Sequence, residues 1–215
     1  MNQIFSISIG SGAAFLTRVS LMKTNSISFK ASYIQPGYIP IKTLDQKKEP
    51  KTIEGAFVEL SPYSENDLDT MCDLNEHWGF LETYAFQIYD SMERINNKLL
   101  NYSENSKFYA LTLQEDSFEK LDPKKILGIT EVVEHDDKIT INFLQVDPEN
   151  KRNAPLAKYL HIGSRVIDSI KNIYEKTVID LKSTKSARKF YTAVGFVKKS
   201  QNSNDYIYIP KNGKH

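Results

Sequence analysis

Apolar and polar positions alternate between strand-like and helix-like periods from residue 56 to the end of the chain. Short runs with apolar side chains at every second position predict strands, and longer runs with apolar side chains three and four residues apart predict amphipathic helices. In chain order the pattern predicts β-α-α-β-β-β-α-β-α-β-β. The predicted strands are 56–60, 108–113, 125–134, 138–146, 177–181, 196–199 and 206–209, and the predicted helices are 65–76, 86–100, 158–174 and 185–194.

This order indicates the fold class. A run of antiparallel strands followed by a βαβ unit predicts an α/β (α+β) fold. We expect a mixed, mostly antiparallel sheet of about seven strands, with helices on both faces and an N-terminal extension.

One hairpin places candidate side chains on a common face. Asp136-Asp137 predicts a two-residue turn between two strands. Such a turn sets Thr140 opposite Val133 and Asn142 opposite Glu131. Strand alternation then places four side chains on one face, namely Glu131, Thr140, Asn142 and Leu144.

The composition changes near residue 50. Residues 46–52 read QKKEPKT, a polar stretch interrupted by Pro50, and predict a surface linker. We therefore divide the chain into an extension with linker, 1–50, and a main domain, 51–215. The Gly10-Ser11-Gly12 turn suggests half of a dinucleotide fingerprint, but fifty residues cannot build such a domain. We expect the extension to pack on the main domain or on a partner subunit.

Composition and charge narrow the function classes. Apolar residues make up 40% and charged residues 26% of the chain, and the net charge is +1, so no global field attracts nucleic acid or a membrane. The single cysteine, Cys72, allows no intrachain disulfide, which fits a reducing compartment. We expect a cytoplasmic protein that binds neither nucleic acid nor membrane, with a homodimer left open.

Two segments carry a family resemblance. The first reads LQVDP at 144–148 and KYLHIGSRVI at 158–167, and the second reads ARKFYTAVGF at 187–196. In this order, and between these strands, they resemble the GNAT acetyltransferase superfamily over about residues 55–210. Family members have a strand ending in V-x-P, an Arg/Gln-x-x-Gly-x-Gly/Ala helix start, and A-x-x-F-Y-x-x-x-G-F. This chain departs from the pattern with Lys158 at the Arg/Gln position, His161 at the first glycine, and Thr184 where an asparagine is common.

The resemblance implies acetyl-CoA as co-substrate and no metal. The N-terminus of a helix that contains Gly163 would bind the pyrophosphate; alternatively, Gly163 only permits close helix–sheet packing. The strand edge at 143–146 would bind the pantetheine arm through its backbone, or is a plain buried strand. The expected cofactor-binding residues are Phe143, Leu144, Val146, Lys151, Arg152, Lys158, His161, Ile162, Gly163, Ser164, Thr184 and Ala187.

The resemblance also implies catalytic residues. Tyr191 occupies the position of a general acid that protonates the departing thiolate; alternatively, it is a tyrosine packed on the sheet. Family members with a base in the 138–146 strand carry a glutamate near Thr140, so that base is absent here. Glu131 could act through water instead, or is a solvated strand residue. Residues 76–80 and Tyr84 offer aromatic rings and a carboxylate for a cationic acceptor.

The expected activity is acetyl transfer from acetyl-CoA to a primary amine of a small molecule or protein. A toxin or effector with the same chemistry has the same sequence signature. The alternative is a catalytically degenerate GNAT-like module that binds CoA or a partner, as the altered His161 and the missing glutamate suggest.

Overall fold

The structure is a computed structural model that describes residues 32–33, 39–44, 50–79, 84–99, 105–150 and 157–211. The predicted Gly10–Gly12 turn, Phe80, Lys151 and Arg152 lie outside these residues. The strands are β1 Ser32–Tyr33, β2 Ile39–Leu44, β3 Pro50–Leu60, β4 Ser106–Thr112, β5 Ile126–Glu134, β6 Lys138–Val146, β7 Tyr159–Leu160, β8 Val178–Lys182, β9 Val197–Lys198 and β10 Asp205–Tyr208. The α-helices are α1 Glu65–Trp78, α2 Tyr84–Asn96, α3 Ile162–Ile173 and α4 Arg188–Ala193.

The described strands form one mixed sheet. Its order is β7-β2-β3-β4-β5-β6-β8-β10-β9, and β1 pairs with β3. Every described pair is antiparallel except β6 with β8. The predicted fold class is confirmed, but the described sheet has 10 strands rather than about seven, because β1, β2 and β7 add to the predicted set.

Helices cover both faces of the sheet. One face, called the α1/α2 face, has a core that includes Met71, Ile88 and Phe108. The opposite face, called the α3/α4 face, has a core that includes Val166 and Tyr191. No helix in the described ranges is long and apolar enough to cross a membrane.

Strand β3 begins earlier than the sequence pattern predicts. It starts at Pro50 rather than at residue 56, and its first half pairs with β2. Ile41 of β2 is fully buried, and a Cβ on Gly55 would lie 2.4 Å from its Cδ1. Lys51 and Thr52 are exposed, so the polar stretch that predicted a linker is the solvent-facing part of a strand. Residues 39–44 therefore belong to the sheet.

The β5–β6 hairpin contains a β-bulge. The Asp136-Asp137 turn closes with a 2.9 Å hydrogen bond from the His135 N–H to the Lys138 carbonyl, and Thr140 pairs with Val133 as predicted. The register then shifts, so that Phe143 rather than Asn142 lies opposite Glu131. The extra residue moves Leu144 to the α3/α4 core. The prediction that Leu144 shares a face with Glu131 is therefore wrong.

Helix α3 begins at Ile162, later than the predicted residue 158. Tyr159 and Leu160 are extended because they pair with Thr43 and Lys42 of β2. Lys158 therefore precedes the helix instead of opening it. A strand of two residues has no periodicity that a sequence pattern can reveal.

The first turn of α1 contains a titratable group without solvent. Asp67 is fully buried, its Oδ2 accepts the Ser61 N–H at 2.9 Å, and its Oδ1 has no hydrogen-bond partner in the described chain. Burial raises the pKa of Asp67 from 3.8 to about 6, although hydrogen bonds from Ser61 and Ser64 oppose the shift. Because the folded-state pKa is the higher one, ionisation destabilises the fold as pH rises from about 4 to above 6.

We expect Asp67→Asn to remove this pH dependence. A shift of about two pKa units corresponds to about 3 kcal/mol of unfolding free energy lost between pH 4 and pH 7. Urea unfolding at pH 4, 5, 6 and 7 measures the loss in wild type and its absence in the variant. Asp69→Asn, at a carboxylate that is 57% exposed, is the control and should keep the wild-type profile. Equal pH profiles for wild type and Asp67→Asn would contradict the assignment.

Candidate functional site

Strands β6 and β8 pair only over their first halves. Residues 138–141 pair in parallel with residues 178–181, and β8 ends at Lys182 while β6 continues to Val146. Beyond the bulge, residues 143–146 of β6 pair with β5 on one side. Among the described residues, no strand pairs with them on the other side. We call this opening between the two strands the wedge.

The start of α3 lies beside the Val146 end of the wedge. A Cβ on Gly163 would lie 3.1 Å from the Phe190 ring and 3.5 Å from a methyl group of Val146. Gly163 therefore brings α3 against both β6 and α4, so the two motif segments meet at this residue. The contact supports the packing role of Gly163, and its role toward a phosphate remains a prediction.

The first turn of α3 has the features of an anion-binding helix start. His161 precedes it in the left-handed conformation (φ 61°, ψ 24°), which glycine adopts with less strain, and its side chain makes no capping hydrogen bond. The first turn contains no acidic residue. The N–H groups of Ile162, Gly163 and Ser164 have no intrahelical acceptor and lie at the positive end of the helix dipole. Such a turn attracts an anion.

The other predicted cofactor residues lie around these elements. Lys158 is exposed, its N–H donates to Asn150 Oδ1 at 3.1 Å, and its Nζ lies 5.1 Å from the Tyr159 ring centroid. The Thr184 hydroxyl is hydrogen-bonded to Ser186 Oγ at 3.1 Å. The Thr184 carbonyl accepts the N–H of Ala187, the N-cap residue of α4. Thr184 therefore shapes the approach to α4 through its backbone.

Tyr191 of α4 is buried among aromatic rings. It is 8% exposed, and its ring centroid lies 5.0 Å from that of Phe190 and 5.8 Å from that of Phe196. Burial raises the pKa of Tyr191 to about 12, with a further electrostatic contribution from Tyr84. No described residue hydrogen-bonds to its hydroxyl. Its phenol therefore keeps its proton at neutral pH.

Tyr84 and Tyr191 flank the wedge from opposite faces of the sheet. The Tyr84 ring, at the start of α2, lies 5.5 Å from the ring of Phe143, which borders the wedge. Tyr191 belongs to the α3/α4 core, yet it is close enough to Tyr84 for the two phenols to interact electrostatically. A gap in the sheet at this position allows the two side chains to approach each other.

Glu131 lies on the α1/α2 face, one strand away from the wedge. It is 3% exposed, and its Oε1 accepts hydrogen bonds from Ser106 Oγ at 3.2 Å and Asn142 Nδ2 at 3.3 Å. The alternative of a solvated strand residue is therefore wrong. Burial raises the pKa of Glu131 against these hydrogen bonds. Its Oε2 is buried without a hydrogen-bond partner in the described part of the chain.

Gln145 is a structural contributor that the sequence analysis missed. Its Oε1 accepts the Ala85 N–H at 3.0 Å, which ties the first turn of α2 to β6 beside the wedge. The only sequence signal is a polar residue at a buried strand position. Among the residues predicted to hold an acceptor, Trp78 is buried in the core, whereas His77 and Glu76 are exposed.

Comparisons with known proteins give matches at the level of structure only. No protein-family model matches the chain, and no curated protein matches it. The PaiA N-acetyltransferase of Thermoplasma acidophilum, solved in complex with coenzyme A, is 16% identical, and the match covers 72% of this chain and 97% of that one, with a TM-score of 0.43. The ribosomal-protein-S18-alanine N-acetyltransferase of Escherichia coli is 12% identical, with 75% and 99% covered and a TM-score of 0.46. The putative N-acetyl transferase YhhK of E. coli, bound to coenzyme A, is 15% identical, with 73% and 99% covered and a TM-score of 0.45.

Proposed function

We propose that this chain is a GNAT-type N-acetyltransferase that moves an acetyl group from acetyl-CoA to a primary amine of a small molecule or protein. The wedge between β6 and β8 is the observation that carries the proposal. It exposes strand backbone at 143–146 beside an uncapped helix start. A ligand with a strand-like amide arm and a pyrophosphate needs both features at once.

The residues around the wedge fit the two parts of acetyl-CoA. The pyrophosphate accepts hydrogen bonds from the N–H groups at the start of α3, next to Val146. The pantetheine amides pair with backbone groups of Phe143, Leu144 and Val146, as an added strand would. Lys158 is exposed near the helix start and supplies positive charge. The acyl end then lies toward Asn142, where β6 and β8 begin to part.

Acetyl-CoA supplies an activated thioester, and the protein supplies the proton transfers. Tyr191 holds a proton on its phenol at the wedge and donates it to the departing sulfur. Glu131 accepts the proton of the acceptor amine through a water molecule, because its carboxylate lies one strand away. Its raised pKa makes it a stronger base than an exposed carboxylate would be.

A second function rests on a specific observation. The strand position where family members carry a glutamate holds Thr140, whose hydroxyl is hydrogen-bonded to His135 Nε2 at 3.1 Å. Glu131 is enclosed rather than open to the wedge. A module that binds CoA or a partner without turnover fits these two facts. Turnover measurements separate it from the enzyme.

We expect CoA and acetyl-CoA to stabilise the protein against heat. A ligand present at about 100 times its dissociation constant adds about 2.7 kcal/mol of unfolding free energy. Thermal melts with millimolar CoA, acetyl-CoA and ATP measure the effect, and ATP controls for general polyanion binding. An unmoved melting temperature, or an equal shift with ATP, would contradict the proposal. Mass spectrometry of an amine panel incubated with acetyl-CoA then identifies the acceptor.

A further inference from the structure

Two lysines converge on one buried carboxylate beside the wedge. Lys138 Nζ lies 2.9 Å and Lys199 Nζ 2.8 Å from the same oxygen, Oδ2 of Asp180. The two ammonium groups are therefore no farther apart than the sum of these distances. Asp180 is 7% exposed, so it is anchored in the sheet. The arrangement holds two flexible side chains in one place.

This lysine pair retains positive charge and hydrogen-bond donors. Two positive groups face one negative group, which leaves a net charge of +1 in the cluster. Each ammonium has three N–H donors, and Asp180 takes one from each. The side chains of Lys138 and Lys199 are 37% and 39% exposed, against 10% for that of Asp180. A second anion can therefore reach the lysines from solvent while the aspartate stays behind them.

The cluster lies in line with the wedge. Asp180 pairs with Thr140, and Asn142, two residues farther along β6, marks the point where the strands part. Two strand residues span about 7 Å. The α3 start lies at the opposite, Val146, end of the wedge. A ligand that extends from α3 along β6 therefore has its acyl end directed toward the lysine pair.

The lysine pair and the proposed base share one face of the sheet. Ile179 and Leu181 of β8 belong to the α3/α4 core, so Asp180 between them lies on the α1/α2 face. Asn142, on that face, hydrogen-bonds to Glu131. An acceptor that gives up its proton toward Glu131 therefore has the lysine pair within reach.

We propose that the acceptor amine carries an anionic group, a carboxylate or a phosphate, which binds between Lys138 and Lys199. This inference rests on the proposed function. The amine then lies near Asn142, about 7–10 Å from the anion, which corresponds to two to three strand residues.

Three acceptors of similar length test this selection. They are ε-aminocaproate, its uncharged amide and aminobutyl phosphate, each assayed with acetyl-CoA. We expect the better anionic amine to exceed the amide about tenfold in kcat/KM, as a charge-assisted hydrogen-bonded pair provides. The anion with the larger preference identifies the group. Lys138→Met and Lys199→Met should each lower the ratio below about threefold, since each removes one ammonium.

Matched variants separate charge recognition from a damaged fold. Lys124→Met removes an exposed lysine elsewhere and should keep the wild-type ratio. Asp180→Asn keeps both ammonium groups and should keep or raise the preference. The double variant Lys138→Met/Asp180→Asn restores charge balance, and it should still lose the preference. If the double variant recovers the wild-type ratio, the lysine pair is structural and the proposal is wrong.

A binding measurement distinguishes failure of this inference from failure of the proposed function. N-acetyl-ε-aminocaproate and its amide are titrated calorimetrically into the protein with and without CoA. Preferential binding of the acid that Lys138→Met abolishes supports the lysine site even where CoA does not bind. Equal binding of acid and amide, or no binding of either, overturns the site while CoA binding and acetyl transfer still report on the function.

Discussion

A chain that begins at Lys51 is expected to lose cooperative folding, whereas a chain that begins at Ser32 keeps it. The shorter chain lacks β2, whose Ile39 and Ile41 are 8% and 0% exposed. Truncating a buried isoleucine to alanine costs about 2–5 kcal/mol. Two such losses approach the whole stability of a typical domain, about 5–15 kcal/mol. The first half of β3 and all of β7 would also lose their strand partner.

Circular dichroism and urea unfolding of the two chains measure this difference. The chain from Ser32 controls for loss of residues 1–31, and we expect it to bind CoA as the full chain does. The predicted division at residue 50 leads to the opposite expectation, a folded and CoA-binding protein from Lys51 onward. A cooperative transition of that shorter chain would show that β2 is dispensable.

The long elements of the main domain could be predicted from the sequence. Helix α1 has Ser64 as N-cap and apolar side chains in phase, and strand β6 spans the predicted residues 138–146. Gly195 ends the α4 segment with φ 93°, a conformation that favours glycine. Such signals are local, because each depends on residues within one or two turns of the chain.

The features that build the site could not be predicted in the same way. The β-bulge that moves Leu144 depends on pairing between β5 and β6, and a binary pattern does not register one inserted residue. The extended Tyr159–Leu160 segment forms because β2, more than a hundred residues earlier in the chain, supplies its partner. The wedge is likewise a relation between two strands. Non-local pairing determines all three.

Burial changed the interpretation of individual side chains. Glu131 alternates with apolar residues as a solvated strand residue would, but α2 covers its face of the sheet and leaves it 3% exposed. The Asp180 carboxylate gave no sequence signal, since its lysine partners are 42 and 19 residues away. Charged groups brought together by tertiary structure are therefore the part of the site that the sequence pattern does not contain.

Tyr191→Phe is expected to slow acetyl transfer by about a hundredfold while CoA affinity stays within about twofold. General-acid catalysis is worth about 10²–10⁴, and a thiolate is a good leaving group, which favours the lower end. The variant removes one oxygen and keeps the ring contacts with Phe190 and Phe196. The loss therefore falls on kcat rather than on binding.

Tyr206→Phe is the matched control, because Tyr206 is also buried and its ring centroid lies 6.4 Å from that of Tyr191. It should transfer acetyl groups at the wild-type rate. Since burial raises the pKa of Tyr191 to about 12, its phenol stays protonated well above neutral pH. Wild-type kcat should therefore show no loss from this group between pH 7 and pH 10, where an ordinary tyrosine begins to ionise. A Tyr191→Phe variant with wild-type kcat would assign Tyr191 to packing alone, with solvent as the proton donor.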